Sequence, residues 1–391
     1  MTTTETLFSQ ENSSHLFEKI HPKIRHILES QGIVTPTAIQ EKSYEPILAG
    51  EDIIAQSRTG SGKTIAFGLG AFAKIKTSGS KNPKILVLTP TRELADQIGR
   101  VFNETFQVLG FQTVAITGGT SYFTQKSKLS RGVDAIVATP GRFCDLMDQK
   151  SFSLADLEIL VLDEMDEMLD FGFSEDIIRI KKAIGKKVQT LLFSATFPQK
   201  VEAIVKKMTV NPIKITVSPK DISTGQIEHE FFETRIGKSI DALVGLLLFY
   251  NPEHAIIFCR TREETKNVSA TLQERGFASS VLNGEMGQKD RSDTMARFKS
   301  KKIKLLIATD VAARGIDVSG LSHVINLNVP SNTDTYTHRA GRTGRAGATG
   351  KSWTIVASNQ RREYQFICSK LKTTPKRLQL PNSDQMVSKL C

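Results

Sequence analysis

Short apolar runs alternate with amphipathic stretches along this chain, and the same rhythm occurs twice. Ile85–Thr89 (ILVLT), Ala135–Thr139 (AIVAT), Leu157–Glu164 (LEILVLDE) and Thr190–Thr196 (TLLFSAT) read as buried strands, separated by helical patterns such as 91–109. Continuously apolar strands alternating with helices predict a parallel sheet covered on both faces. The pattern breaks at the polar stretch SPKDISTGQ, residues 218–226, and restarts at AIIFC (255–259), SSVLN (279–283), KLLIATD (304–310), HVINLN (323–328) and SWTIVA (352–357). The expected class is α/β with two tandem domains. The first spans 1–217, a linker 218–226, the second 227–369, and a polar, basic, irregular tail 370–391.

Composition removes several classes. At 391 residues the chain suits two domains, and 39% hydrophobic with 24% charged residues excludes wholesale disorder. No apolar run approaches the ~18 residues of a membrane helix. The polar, acidic start MTTTETLFSQENSSH lacks a basic segment followed by an apolar one, so a cytoplasmic protein is expected. Cys144, Cys259, Cys368 and Cys391 form no CxxC pair, which argues against a disulfide framework or a structural metal. Residues 1–217 hold 26 Lys/Arg and 24 Asp/Glu, whereas residues 218–391 hold 26 and 17. The excess of +9 in the second part favours a polyanionic partner, most often nucleic acid.

The chemistry begins at IIAQSRTGSGKT, residues 53–64, where a strand runs into a glycine-bearing loop and then a helix from about Ile65. Gly60 and Gly62 let backbone N–H groups close around phosphate oxygens, and the helix N-terminus adds positive potential. Lys63 supplies a point charge to the β- and γ-phosphates, and the Thr64 hydroxyl suits Mg²⁺. The phosphate-loop pattern asks for Gly where Ser57 stands. A second strand, Leu160–Leu162, delivers Asp163 and Glu164 at its C-terminal end, where α/β sheets bind ligands. Asp163 is placed to hold Mg²⁺, and Glu164 to polarise an attacking water as general base. Alone, such carboxylates also fit a solvated turn.

With these motifs in view the sequence resembles the DEAD-box RNA helicases from Gly32 to Arg345. GIVTPTAIQ (32–40) is similar to the Q motif, AQSRTGSGKT (55–64) to motif I, PTRELA (90–95) to Ia, Gly118-Gly119 to the GG element and TPGR (139–142) to Ib. DEMD (163–166) stands where DEAD stands, and SAT (194–196) is similar to motif III. IIFC (256–259), QKDR (288–291), ATDVAARGID (308–317) and HRAGRTGR (338–345) resemble motif IV, the QxxR element, V and VI. Met165 replaces the family's Ala, and Mg²⁺ binding and hydrolysis are expected to survive it, since Met adapts to gaps. Phe17, the upstream aromatic candidate for stacking on adenine, lies two residues too close to Gly32.

The resemblance implies two RecA-like domains and the following roles. ATP is held by Gln40, Ser57, Thr59, Gly60, Ser61, Gly62, Lys63 and Thr64, with Gly315 and Asp317 near the ribose. The Gln40 amide pairs donor and acceptor with adenine, not guanine. Arg342 and Arg345, three apart and expected on one face of a helical turn, are the arginine fingers, or alternatively RNA-phosphate ligands. Lys63, Asp163, Glu164, Arg342 and Arg345 carry the chemistry. Asp166, Ser194, Thr196 and His338 couple it to domain closure, and Arg339 is structural. The second domain lacks a phosphate-loop lysine, so one ATP is expected. RNA contacts fall to Pro90, Thr91, Arg92, Gly119, Thr139, Gly141, Arg142, Arg260, Thr261 and Thr309. These types suit sugar–phosphate rather than base readout. The reading is an ATP- and Mg²⁺-dependent RNA helicase, monomeric, without a membrane partner or a further RNA-binding domain. The alternative is an ATP-gated RNA clamp; a DNA helicase fits the motifs less well.

Overall fold

The computed structural model describes residues 16–57, 60–76, 81–217, 227–313, 320–344 and 349–381. The chain divides into two compact units, Met1–Ile222 and Ser223–Cys391. Thr59, Gly315, Asp317, Arg345 and the expected linker 218–226 lie outside the described residues.

In the first unit the strands are β1 (Ile53–Gln56), β2 (Ile85–Leu88), β3 (Thr113–Ile116), β4 (Ala135–Ala138), β5 (Ile159–Leu162), β6 (Gln189–Ser194) and β7 (Ile213–Thr216). They form one parallel sheet in the order β3-β4-β2-β5-β6-β1-β7. Successive side chains point to opposite faces of a strand, so each strand feeds two cores. Ile53, Ala55, Ile85 and Val87 join one cluster with Phe67, Phe102 and Phe193. Ile54, Leu86, Leu88 and Leu160 join the other with Phe143, Met165 and Met168. Burying each such side chain contributes roughly 1.5–3 kcal/mol, which is why these short apolar runs settle as central strands. Phe17 is itself buried in the first cluster.

In the second unit the strands are β8 (Ile227–Thr234), β9 (Ala255–Cys259), β10 (Ser279–Leu282), β11 (Leu305–Thr309), β12 (His323–Asn326), β13 (Gly350–Ala357) and β14 (Lys376–Leu378). Their order is β10-β11-β9-β12-β13-β8-β14, again parallel. Counted within each unit, the strand order is the same in both sheets. The apolar runs read from sequence all became strands. Strands β3, β7, β8 and β14 were not read, because they are short, lie at or near an edge, or alternate polar and apolar residues. Ile213–Thr216 has only Ile215 buried, and Ile227–Thr234 interleaves Glu and His with Phe. The expected irregular tail is corrected in its described part. The helix Arg361–Leu371 runs past the expected boundary at 369, and Lys376–Leu378 pairs with β8. Arg377 Nη2 bonds Glu233 Oε2 at 2.5 Å, and Leu378 and Leu380 pack on the second unit's core.

Candidate functional site

In a parallel sheet the C-terminal edge gathers the loops that leave every strand, and in the first unit that edge divides in two. One part follows the neighbours β1, β6 and β5, and the other follows β2, β4 and β3.

The phosphate loop leaves β1. Gly62 has φ +89°, a left-handed conformation in which a side chain is strained, and a Cβ there would lie 2.6 Å from Gln40 Nε2. Glycine therefore permits both the turn and the close approach. The helix Lys63–Lys74 starts directly after it. Lys63 is buried, with Nζ 3.5 Å from the Ser57 carbonyl and 3.9 Å from Asp163 Oδ1. Ser61 Oγ donates to Ser57 Oγ at 3.1 Å. Gln40 is buried too. Its Oε1 accepts from the Thr37 amide at 2.9 Å, capping the helix Ala38–Ala49, and its Nε2 donates to the Gly62 carbonyl at 3.3 Å. The amide thus braces the phosphate loop, and one acceptor lone pair and one N–H remain beyond these bonds.

Strand β5 delivers the acids. Asp163 Oδ1 accepts from the Glu164 amide at 3.0 Å. Burial pushes the Asp163 carboxyl up to about 6; Lys63 opposes that rise, and Glu164 and Asp166 add to it. Glu164 holds φ 51° and ψ 53°, a conformation costing a non-glycine residue roughly 1–2 kcal/mol, stored at the start of the helix Met165–Asp170. Its Oε2 is buried with no hydrogen-bond partner among the described residues. Such an atom needs a donor, a water or an ion to offset its desolvation. With Asp163 next to Lys63, and Thr64 following Lys63 in the first turn of its helix, this oxygen-rich donor set fits a hard divalent cation and the phosphates it would accompany.

Three of the four expected coupling residues meet in one network. Asp166 Oδ2 accepts from Thr196 N at 2.9 Å and from Thr196 Oγ1 at 2.7 Å. Ser194 Oγ accepts from Asp166 N at 3.2 Å and donates to the Thr196 carbonyl at 2.8 Å. The end of β6 is thereby fastened to the helix carrying the acids. Met165 is fully buried in the apolar cluster on one face of the sheet.

The other part of the edge carries the strand-binding candidates. Thr91 caps the helix Arg92–Phe106 by accepting from Leu94 N at 3.3 Å, and Thr139 stands at the N-cap of the helix Pro140–Asp148. Arg92 Nη2 would lie 3.2 Å from a Cβ on Gly118, beside Gly119. Arg142 Nη1 donates to the Thr120 carbonyl at 3.0 Å, and its guanidinium sits 3.9 Å from the Tyr122 ring centroid. Pro90, Thr91, Arg92, Gly119, Thr139, Gly141 and Arg142 are therefore brought together after three adjacent strands.

The second unit repeats this arrangement, and the sequence reading saw only half of it. Thr261, after β9, caps the helix Arg262–Glu274 by accepting from Glu264 N at 3.1 Å, as Thr91 does after β2. Arg262 Nη2 would lie 3.6 Å from a Cβ on Gly284, as Arg92 does beside Gly118. Thr309 ends β11 and accepts from Ala312 N at 3.4 Å, in the place Thr139 takes after β4. Arg262 and Gly284 were missed; the signal was the recurrence of TPTR (89–92) as CRTR (259–262). Arg260 is exposed, and its amide donates to Glu264 Oε2 at 2.6 Å.

The helix Thr333–Ala340 ends at Gly341, and Arg342 follows in the turn beyond it, whereas its expected partner Arg345 lies outside the described residues. Arg342 is buried, lining a small cleft with His338, Phe258, Asp310 and Arg339. A phosphate-loop-like Gly237-Lys238-Ser239 does occur, in the turn after β8 that matches the turn after β1. It cannot repeat the chemistry. The turn from Arg235 to Lys238 is too short to wrap a phosphate, and Lys238 pairs with Asp241 at 2.9 Å in the first turn of its helix. The strand matching β5 ends in Asn326, and Asn328 follows it, where the first unit has its acids. Arg339 is structural, as expected. Its Nη2 meets Asp310 Oδ2 at 2.7 Å, its Nε meets Oδ1 at 2.5 Å, and its Nη1 meets Asn326 Oδ1 at 2.9 Å.

The fold and site together define a P-loop nucleoside triphosphatase built from two tandem RecA-like sheets. Comparison with known proteins narrows this. The DEAD/DEAH box helicase family model matches residues 37–204, and the helicase conserved C-terminal domain matches 238–347. The ATP-dependent RNA helicase DeaD of Buchnera aphidicola is 40% identical over 91% of this chain and 59% of its own length. The DEAD-box ATP-dependent RNA helicase RhpA of Helicobacter pylori is 36% identical over 92% of this chain and 73% of its own. Among solved structures, S. cerevisiae Dbp5 bound to RNA and ADP BeF3 superposes with a TM-score of 0.85 at 28% identity, covering 97% of this chain and 100% of that one. Mss116p bound to ssRNA and AMP-PNP gives 0.83 at 26% identity, covering 97% and 82%. The chain belongs to the DEAD-box ATP-dependent RNA helicases. It spans 59% of the length of the Buchnera relative it matches.

Proposed function

We propose that this protein hydrolyses ATP in response to RNA and uses the cycle to separate short duplexes locally. The observation that carries the reading is the division of one sheet edge. The braced phosphate loop and the acids follow β1 and β5, and a row of hydroxyls, glycines and arginines follows β2, β4 and β3.

Lys63 neutralises phosphate charge, and the loop amides orient the phosphates. The unsatisfied Glu164 Oε2 accepts a hydrogen bond from the attacking water and takes its proton as the water oxygen bonds to the γ-phosphorus and the bond from that phosphorus to the bridging oxygen breaks, releasing ADP and phosphate. Thr64 and Asp163 would hold Mg²⁺, which supplies charge neutralisation at the phosphate oxygens. Gln40 reads the adenine edge with its remaining donor and acceptor while bracing the loop. Arg342 and Arg345 stabilise charge on the transferring phosphoryl group. Asp166, Ser194 and Thr196 sense the state of the acids, because any shift of Asp163–Asp166 pulls on the end of β6. Thr91, Thr139, Thr261 and Thr309, with Arg92, Arg142 and Arg260, hold the sugar–phosphate backbone, so binding is sequence-independent and salt-sensitive. The protein acts as a monomer in the cytoplasm.

The test is steady-state ATP hydrolysis with and without single-stranded RNA, with DNA of the same sequence as control. Strong stimulation by RNA but not DNA is expected, together with ATP-dependent release of a short strand from a duplex. Equal stimulation by DNA, or none by RNA, overturns the reading.

A further inference from the structure

The excess positive charge of the second unit has a focus away from the site. Arg297, Lys299, Lys301, Lys302 and Lys304 place five cations in eight residues, between the helix Gln288–Lys299 and β11. All five are exposed, and none has an ion-pair partner among the described residues. The stretch enters β11, so it lies at the N-terminal edge of the sheet. That is one strand length, about 15 Å, from Thr309 at the other edge. Arg275 precedes the adjacent strand β10 at the same edge, near the exposed acids Glu274 and Glu253, with exposed Glu228 farther along the edge at the start of β8.

The segment is ordered by its own backbone. Lys301 N donates to the Phe298 carbonyl at 2.9 Å and Lys302 N to the Arg297 carbonyl at 3.0 Å, closing the helix C-terminus. Buried Phe298 and Ile303 pin the turn from below. Lys301 occupies the left-handed position, with φ 59°. Glycine is the residue that favours this position, so a lysine here carries charge where local backbone preference argues against it. The result is a preorganised row of point charges with no exposed aromatic among them, which suits phosphate groups and not bases.

We infer that the Arg297–Lys304 turn is a second, sequence-independent contact for the phosphate backbone of RNA extending past the strand-binding edge. It lengthens the footprint on long RNA without touching the chemistry. The inference rests on the RNA-binding reading above.

The experiment compares wild type with the triple variant K299Q/K301G/K302Q, in which glycine at 301 relieves strain and so protects the fold. Binding of a strand of about 10 nucleotides and one of about 40 is followed by fluorescence anisotropy with a non-hydrolysable ATP analogue, from about 50 to 200 mM KCl. For the long strand the slope of log K against log salt should flatten by about 2, from three lost phosphate contacts at about 0.7 each. The short strand, and ATP turnover stimulated by it, should stay unchanged. An unaltered long-strand slope, or an equal loss on both strands, overturns the inference. So does tighter wild-type binding of polyglutamate than of the long strand, which would make the turn a site for an acidic protein. Failure of wild type to bind the short strand instead overturns the RNA-binding reading itself.

Discussion

The two sheets share one strand order and differ in what leaves their C-terminal edges. After β1 the glycine-bearing segment leads into buried Lys63, whose Nζ lies 3.5 Å from the Ser57 carbonyl. After its counterpart β8 a short turn leaves Lys238 exposed and paired with Asp241. After β5 come Asp163 and Glu164, whereas the matching strand β12 ends in Asn326, bonded to Arg339. After β2 and β9, by contrast, the two units carry the same device, a capping threonine followed by an arginine beside a glycine. A shared scaffold thus carries the threonine–arginine–glycine device twice and the buried lysine with its neighbouring acids once. The fold supplies positions, and the loops decide which chemistry occupies them.

This asymmetry can be broken experimentally. Glu164→Gln removes the proposed base from the unit that carries the acids. Turnover should fall about 10²- to 10⁴-fold, while ATP-dependent RNA binding persists. Single-turnover hydrolysis and anisotropy on the same preparation check both, and undiminished turnover would remove Glu164 from the role. Arg339→Ala attacks the place where the second unit uses its site positions for structure. Leaving Asp310 and Asn326 without their buried partner should cost about 3–5 kcal/mol, read as a lowered urea midpoint in the second unit's transition. Met165→Ala should cost about 2–3 kcal/mol in the first unit through the cavity it opens. Turnover per folded molecule should change by no more than about threefold, since Met165 packs away from the acids in the core. A collapse of turnover without loss of stability would show that residue 165 tunes the acids directly. Lys238→Ala should leave turnover and stability within about 0.5 kcal/mol of wild type, as expected for an exposed pair. Loss of ATP binding in Lys238→Ala would mean that the second turn is a working phosphate loop after all.

Legibility in the sequence followed burial. The central strands were readable because they are apolar on both faces, and the phosphate loop because glycine, lysine and threonine must sit at fixed spacing. Edge strands β3, β7 and β14 were not, because half-solvated strands need no apolar run. The end of the helix Thr333–Ala340 at Gly341, just before Arg342, was not legible, because residue spacing says nothing about where a helix stops. Gln40 was expected as a nucleotide contact, and its bracing of the phosphate loop was not legible, since the bond to the Gly62 carbonyl joins residues 22 apart.

By itself the sequence determined the α/β class, the single complete phosphate loop, the acids and the family. These are local properties: hydrophobic period, loop spacing and residue type act within a few positions. Only the tertiary structure decided that both sheets share one order and that Arg262 and Gly284 repeat Arg92 and Gly118. It also decided that Asp166 ties β6 to the acids, and that Lys238 stands in a phosphate-loop position without its function. Each of these depends on which strands lie side by side, and strand adjacency is set by packing over long sequence distances.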